Sequence, residues 1–398
     1  MNRRKFVSST SKGVLGTIAA LSPINSFSLN KNEIINLGVI GTGDRGGGLI
    51  PLINKIPQFN LMACCDVLPF RLENGIARAD KKVIGYSDYR GLLDNKEIDA
   101  VLVATPFNTH SAIEIDAIDA NKHVYGEKTM AKGYEGIKNL NLKKRDCSKI
   151  FQVGHQYHSS RLYSHVVDII KNGAVGNIIA FECQWNRNGD WRRPVVDTKL
   201  ERIVNWRMYK EYSGGLVAEL CSHQIDFVNW VLDAVPKQVT GSGGVDYWKD
   251  GRETFDNIHL IYTYPQGVKA KFTCLTSNSM NDYQIKVLGD KGTIILDYDK
   301  AWFYPEGNSD KKEIGEVDGV AGATVQWEKG KGIPINIEHA NSSVQALTDF
   351  ANSIIENKTP ESDIISGSKA AIAVQMGLDA LHNNKIIKWK DEFKNYYS

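Results

Sequence analysis

Two short stretches concentrate side chains able to move protons. VYGEKTMAKG sets Glu127 beside Lys128 directly after an apolar run, and ELCSHQIDFVNWVL carries Glu219, Ser222, His223 and Asp226. The second set is spaced i, i+3, i+4 and i+7, which puts the four on one face of a helix. Burying such a stripe without partners is costly, so it predicts a polar cavity. A lysine serves as general base only where burial or positive neighbours destabilise its ammonium. Either Lys128 or His223 could take a proton, with Glu219 and Asp226 orienting His223 or binding hydroxyls. The stripe also suits metal ligation, but no further His/Cys set at metal spacing accompanies it, so no metal is expected.

The elements that must position these residues begin with INLGVIGTGDRGGGLIPLINKI, an apolar strand at about 35–40 running into a helical pattern. Between them Gly41, Gly43 and Gly46 form G-x-G-x-x-G, with Asp44 and Arg45 inside the loop. Glycine there permits a tight turn and close approach of backbone N–H groups to a pyrophosphate at a helix N-terminus. A second strand, FNLMACCD, ends in Asp66, 20 residues after Gly46. An acid at that place hydrogen-bonds ribose hydroxyls and repels a 2′-phosphate, which favours NAD over NADP, although Arg71 lies nearby in sequence. A short helix at Tyr89–Asp94 and a strand at Ala100–Ala104 follow. Next come the turn TPFNTH with Thr105, Pro106, Asn108 and His110, a helix from about Ser111 to Ala120, and a strand at His123–Tyr125 ending at Glu127–Lys128. Apolar strands alternating with helices predict a parallel, doubly wound sheet with its ligand beyond the carboxyl ends of the strands. Lys128 then projects over the same edge as the nucleotide.

With these residues in place the chain resembles the Gfo/Idh/MocA family of oxidoreductases. GVIGTGDRG, CDVLPFR, VLVATPFNTH, GEKTMA and SGGLVAELCSHQID run in family order from about residue 36 to 226. The resemblance implies an N-terminal Rossmann dinucleotide-binding domain and a C-terminal α/β domain with an open, mainly antiparallel sheet. It also implies hydride transfer between NAD(P) and a hydroxyl-bearing carbon of a sugar or cyclitol. Lys128 matches the lysine of the family's EKP motif, with Thr129 where proline is usual. His223 and Asp226 match the second motif, whereas Glu219 replaces its first acid and Cys221 a glycine.

Domain boundaries are expected at 1–30 (export signal or disordered), 31–150 (nucleotide) and 151–398 (substrate). KIFQVGHQYHSSR reads as a strand leading into a pocket wall with Tyr157, His158 and Arg161, then a helix over Ser160–Lys171. Period-two alternation in NIHLIYTYP, VKAKFTCLT, YQIKVLG and GTIILDY predicts an antiparallel meander. The insert NRNGDWRRPVVDTKLERIVNWRMYKEYSGG supplies Trp191, Arg192, Trp206, Arg207 and Tyr212, aromatic faces and donors suited to a carbohydrate. The tail reads as two helices around a turn at Thr359–Pro360.

The 398 residues carry a formal charge of +2. Arg3, Arg4, Lys5 and Lys12 lie in the first 30 residues, where there is no acid; the remaining 44 basic side chains face 46 acidic ones. Nothing in that balance calls for nucleic acid or an anionic membrane. The N-terminus, with Arg3–Arg4, Phe6 and a short apolar run from Val14 to Leu21, resembles a twin-arginine export signal. The expectation is therefore a periplasmic or otherwise exported protein without stable membrane insertion; a cytoplasmic location is the alternative. Six scattered cysteines support neither a zinc site nor a disulfide framework.

A free NAD pool is not expected outside the cytoplasm, so a tightly held, internally recycled cofactor follows from export. Two further readings stand beside the dehydrogenase: a glycosidase acting through transient oxidation, and a non-catalytic NAD-binding sugar sensor. The open sheet face, a usual association surface in the family, implies a homo-oligomer. Lys128→Ala is expected to abolish turnover while leaving NAD binding intact; unchanged turnover removes Lys128 from the chemistry.

Overall fold

The computed structural model describes residues 33–195, 197–306 and 332–397 of the chain; the proposed export signal lies outside them. The first domain begins with β1 (Ile35–Ile40), α1 (Asp44–Ile53), β2 (Phe59–Cys65), α2 (Pro69–Ala77), β3 (Ile84–Tyr86) and α3 (Tyr89–Asp94). It continues with β4 (Ala100–Val103), α4 (His110–Asp119), β5 (His123–Gly126), α5 (Gly133–Arg145) and β6 (Phe151–Val153). The six strands are all parallel, in the order β3-β2-β1-β4-β5-β6. β1 and β4 are near-continuous apolar runs because helices cover both sheet faces. Strand order reverses between β1 and β4, so the loops after them diverge and open the crevice that such sheets use for ligands.

The chain then forms α6 (Arg161–Lys171) and β7 (Ile178–Asn186), followed by a π-turn at Val217–Cys221 that runs into α7 (Ser222–Leu232). β8 (Gln238–Gly244), β9 (Asn257–Thr263), β10 (Lys269–Leu275), β11 (Tyr283–Gly289), β12 (Gly292–Asp297), β13 (Lys300–Pro305) and β14 (Ile333–Ile335) complete most of the second sheet. Last come α8 (Ser342–Ile355), α9 (Ile364–Asn383) and β15 (Ile387–Lys388). The nine strands lie in the order β14-β13-β12-β11-β7-β10-β9-β8-β15. The sheet is mainly antiparallel but is not one meander. Two meanders, β8–β10 and β11–β14, flank β7, and the β7–β10 pair is parallel. Period-two alternation reports which face a residue occupies, not which neighbour it pairs with, so the reading along the chain missed that junction. Inward residues such as Phe181, Cys183, Phe272, Cys274 and Ile285 are buried, and α9 packs across α7 and β8.

Two features depart from the expected boundaries. β6 pairs with β5, so the first sheet extends past residue 150. α8, far along the chain, packs on the first domain: Ala346, Leu347, Phe350 and Ala351 join a core with Leu37, Leu61, Leu102 and Tyr125. Its N-terminus is capped by Asn341, whose Oδ1 accepts from the N–H groups of Ser343 and Val344. The Phe350 ring lies 5.6 Å from Tyr125 and 6.4 Å from Phe59, and Gln152 Nε2 donates to Ala346 O at 2.8 Å. Phe350→Ala is expected to cost about 3–5 kcal/mol by leaving a cavity between two rings. A lowered unfolding midpoint of the nucleotide domain checks it; an unchanged curve removes α8 from that core.

Candidate active site

A cleft of about 710 Å³ lies along the carboxyl edge of the first sheet, between the two domains. The glycine loop forms one end. Gly41 has φ +89°, and a Cβ there would meet Ala104 O at 2.6 Å; a Cβ on Gly46 would meet Gly41 O at 1.9 Å. Gly41, Gly43, Asp44 and Arg45 line the cleft. Gly46 does not: it lets α1 close onto β1, so its contribution is to packing beneath the loop. Asp66 holds the turn from both sides, its Oδ2 accepting from Thr42 N and its Oδ1 from Leu68 N, each at 2.9 Å. Arg71 lies beside Gly43. A tight turn whose Gly41 and Gly46 admit no Cβ, beside an acid at the end of β2, fits a dinucleotide pyrophosphate and ribose.

The loops after β4 and β5 supply the middle. Thr105, Pro106, Asn108, His110, Glu127 and Lys128 all line the cleft. His110 ties the two loops together, one ring nitrogen 2.9 Å from Thr105 O and the other 2.9 Å from Thr129 O. Burial holds its pKa below the ordinary histidine value. Glu127 turns to the glycine loop. Its Oε1 accepts from Arg45 Nε at 2.6 Å, so the acid next to the lysine in sequence belongs to another cation in space.

Lys128 crosses to the second domain. Its Nζ donates to Glu219 O at 2.8 Å and Ala218 O at 3.4 Å; Thr129, joined to it by a cis peptide, donates its hydroxyl to Ala218 O at 3.1 Å. These acceptors belong to the π-turn, a rare conformation frequent at functional sites. Enclosure lowers the Lys128 pKa. Glu219 and Glu127 push it back up, and Arg207 and Arg45 push it down further.

The helix stripe divides. Glu219 faces the cleft, its carboxylate accepting from Arg207 Nε at 3.1 Å and Ser213 Oγ at 3.2 Å. His223 also lines the cleft. Its Nδ1 is buried and unpaired, and burial followed by the Lys128 charge pushes its pKa well down, so it is neutral near pH 7. Asp226 does not orient His223. One turn deeper, it accepts from His158 Nε2 at 2.9 Å and lies 3.9 Å from His155 Nδ1. Burial alone would raise the Asp226 pKa, but the two histidines hold it below the usual carboxylate range. The face read from the sequence is real, but it is longer than the cleft is deep, so its last member points into the interior. Cys221, at the end of the π-turn, is a buried free thiol with its Sγ 3.2 Å from that of Cys274.

The wall expected after β6 is also displaced by one residue. Gln156 lines the cleft, with a buried and unpaired Oε1. Tyr157 stacks beneath on Tyr163 (4.1 Å) and supports His223 (5.0 Å). His158 stacks on Trp230 at 4.3 Å. Arg161 leaves the site and pairs with Asp349 on α8. Of the aromatic insert, Trp191, Trp206, Arg207 and Tyr212 line the cleft, whereas Arg192 turns away to Glu201 and Asp250. Trp185, Arg187 and Arg193 line it as well. The signal for Trp185 was its place at the end of a strand entering the site; Arg187 and Arg193 stand in the same insert as Arg192, with nothing local to separate them from it. Among the described residues, no group of three His, Cys, Asp or Glu side chains is placed to hold a metal.

Comparison with known proteins agrees with this geometry. Residues 35–155 match the profile of an oxidoreductase family with an NAD-binding Rossmann fold, and residues 163–295 match the GFO/IDH/MocA C-terminal domain. The chain is 27% identical over 361 residues to the 2,7-anhydro-N-acetylneuraminate hydratase of Escherichia coli K12, covering 86% of this chain and 92% of that one. It is 26% identical over 216 residues to glycosyl hydrolase family 109 protein 2 of Shewanella sp. ANA-3, covering 50% and 45%. In fold it resembles a levoglucosan dehydrogenase solved with NADH and L-sorbose, with a TM-score of 0.72 and 18% identity over 89% of this chain and 98% of that one.

Direct titration of Lys128 by NMR of ¹⁵N-lysine-labelled protein checks the electrostatics. Its amine is expected to lose its proton below the ordinary lysine range. Glu219→Gln removes an anion that favours the ammonium and should lower the pKa further, whereas Arg207→Ala should raise it. Equal titration in all three proteins contradicts the assignment.

Proposed function

The chain belongs to the Gfo/Idh/MocA family of NAD-binding oxidoreductases, and on that premise we propose that it oxidises a ring hydroxyl of a carbohydrate. The observation that carries this reading is Lys128. Its amine sits at the junction of a dinucleotide cradle and an aromatic- and arginine-lined cleft, in surroundings that favour loss of its proton. Bound NAD supplies the hydride acceptor. The glycine loop and Asp66 hold it, and Asp66 disfavours a 2′-phosphate.

The residues of the chain then have separate tasks. Neutral Lys128 takes the hydroxyl proton as the carbon is oxidised, so the rate should rise with pH through the lowered Lys128 pKa and level off above it. His223, neutral and supported by Tyr157, hydrogen-bonds a neighbouring hydroxyl. Glu219 is fixed by Arg207 and Ser213 one turn before His223, where its remaining acceptor capacity suits a second hydroxyl. Trp206 and Tyr212 offer faces to the C–H surface of a sugar.

A second reading has support from the relatives. A hydratase and a glycosyl hydrolase are named for reactions without net redox change. Transient oxidation of a ring hydroxyl acidifies the adjacent C–H, lets an aglycone leave, and is reversed once water has added. Such a cycle regenerates its own cofactor. That suits an exported protein carrying captive NAD, which the N-terminal Arg3–Arg4 stretch supports. The outer face of the nine-stranded sheet, with Ile179 58% and Ile261 45% exposed, offers a surface for a second copy.

Protein purified without added nucleotide and given a panel of aryl glycosides separates the two readings. Accumulating reduced nicotinamide without cleavage supports the dehydrogenase. Aglycone release with no net change in nicotinamide supports the glycosidase. Neither signal, with either added or retained NAD, overturns both.

A further inference from the structure

The charges of the cleft are unevenly divided between its two ends. At the nucleotide end Arg45 is engaged by Glu127, and Asp66 lies near Arg71. The other end carries Lys128, Arg187, Arg193 and Arg207 with two carboxylates in reach, Glu219, which Arg207 engages, and Asp44 of the glycine loop. Arg193 reaches back to Asp44 at 3.4 Å. Arg187 forms no ion pair with any carboxylate among the described residues, and its contacts are with rings. Its Cζ lies 5.5 Å from the centre of Trp185 and 6.0 Å from that of Trp191.

From this arrangement we propose that the substrate is a sugar acid or its glycoside, whose carboxylate is bound by Arg187. The inference rests on the carbohydrate reading above and narrows it. A guanidinium beside aromatic faces is attracted through its own face, which leaves its N–H edge as the part presented to a ligand. That edge is a planar fork matched to a carboxylate, where two parallel charge-assisted hydrogen bonds form. The position fits one sugar ring. Trp185 has Arg187 as one neighbour and His223, at 5.9 Å between ring centres, as another, so a single indole separates the guanidinium from the imidazole. A pyranose in the cleft along the exposed edge of that indole can set a carboxylate on Arg187 while presenting ring hydroxyls to His223 and Lys128. The positive charge at this end of the cleft favours the same ligand class, and Arg207 there adds to the burial that lowers the Lys128 pKa, against the opposing pull of Glu219.

The test is calorimetric titration of the NADH-bound protein, which cannot oxidise the sugar, with pairs differing at the carboxylate: D-glucuronate against D-glucose and D-galacturonate against D-galactose. At least one acid should bind tenfold or more tightly than its neutral counterpart. Arg187→Gln should abolish that difference without weakening the neutral sugar, and Arg187→Lys should retain part of it. Each acid binding no better than its neutral counterpart overturns the proposal, as does a preference that survives Arg187→Gln. Dinucleotide binding by the variant, measured in parallel, verifies its fold.

Hydride transfer is scored separately on the NAD-loaded protein. Turnover of neutral and acidic sugars alike, with equal binding, keeps the oxidoreductase and removes the subsite. Arg187-dependent binding of an acid without redox or cleavage activity keeps the subsite and removes the oxidoreductase.

Discussion

The architecture turns on one amine held between two domains. Lys128 leaves the end of a parallel strand and is received by two carbonyl oxygens of the π-turn, 2.8 and 3.4 Å away. In water an ammonium prefers full hydration; inside this cleft it has two neutral dipoles and flanking guanidinium groups. The interaction positions the nitrogen without neutralising it, which a direct carboxylate contact would not do. Both nearby acids are held elsewhere, Glu127 by Arg45 and the Glu219 side chain by Arg207 and Ser213. The glycine cradle, the loop tied by His110 and the widened turn before α7 all serve to bring that nitrogen to a defined place.

Behind the cleft wall lies a second polar layer. Asp226 is fully buried, and a lone carboxylate there would be severely destabilised. His158 supplies its hydrogen bond and His155 a nearby partner, while His158 is itself stacked on Trp230. Burial pushes the His155 pKa down to about 4 despite the nearby acid. The layer anchors α7 to the segment after β6, and thereby fixes the height of His223 above the cleft floor.

The sequence made the nucleotide half legible to a different degree than the substrate half. Gly41, Asp66 and Lys128 each follow a strand, and in a parallel sheet that alone assigns them to one edge. Side-chain destinations were legible only where a local rule controls them. Helical spacing grouped Glu219, His223 and Asp226, but the depth of the cleft, a tertiary quantity, decided that Asp226 would face His158. Gln156 rather than Tyr157 lines the cleft because side-chain direction in an irregular turn follows no fixed period. Arg187 and Arg192 lie in one insert and look alike in sequence. One borders the cleft because it directly follows β7, whose end enters there; the other meets Glu201 and Asp250. Long-range pairing of this kind, like the parallel junction of β7 with β10, has no short-range signature.

The return of α8 to the first domain bears on how the protein is made. Phe350 and its neighbours complete a core whose other members, Phe59, Leu61, Leu102 and Tyr125, are synthesised far earlier. During translation, that face of the nucleotide domain is covered only in part, by Leu49, Ile50 and Ile53 of α1, until residues 342–355 have left the ribosome. The second sheet is therefore built while the first domain is still unfinished. Maturation of the dinucleotide fold is in this way coupled to completion of nearly the whole polypeptide, and a chain truncated before α8 leaves part of that apolar core exposed and prone to aggregation.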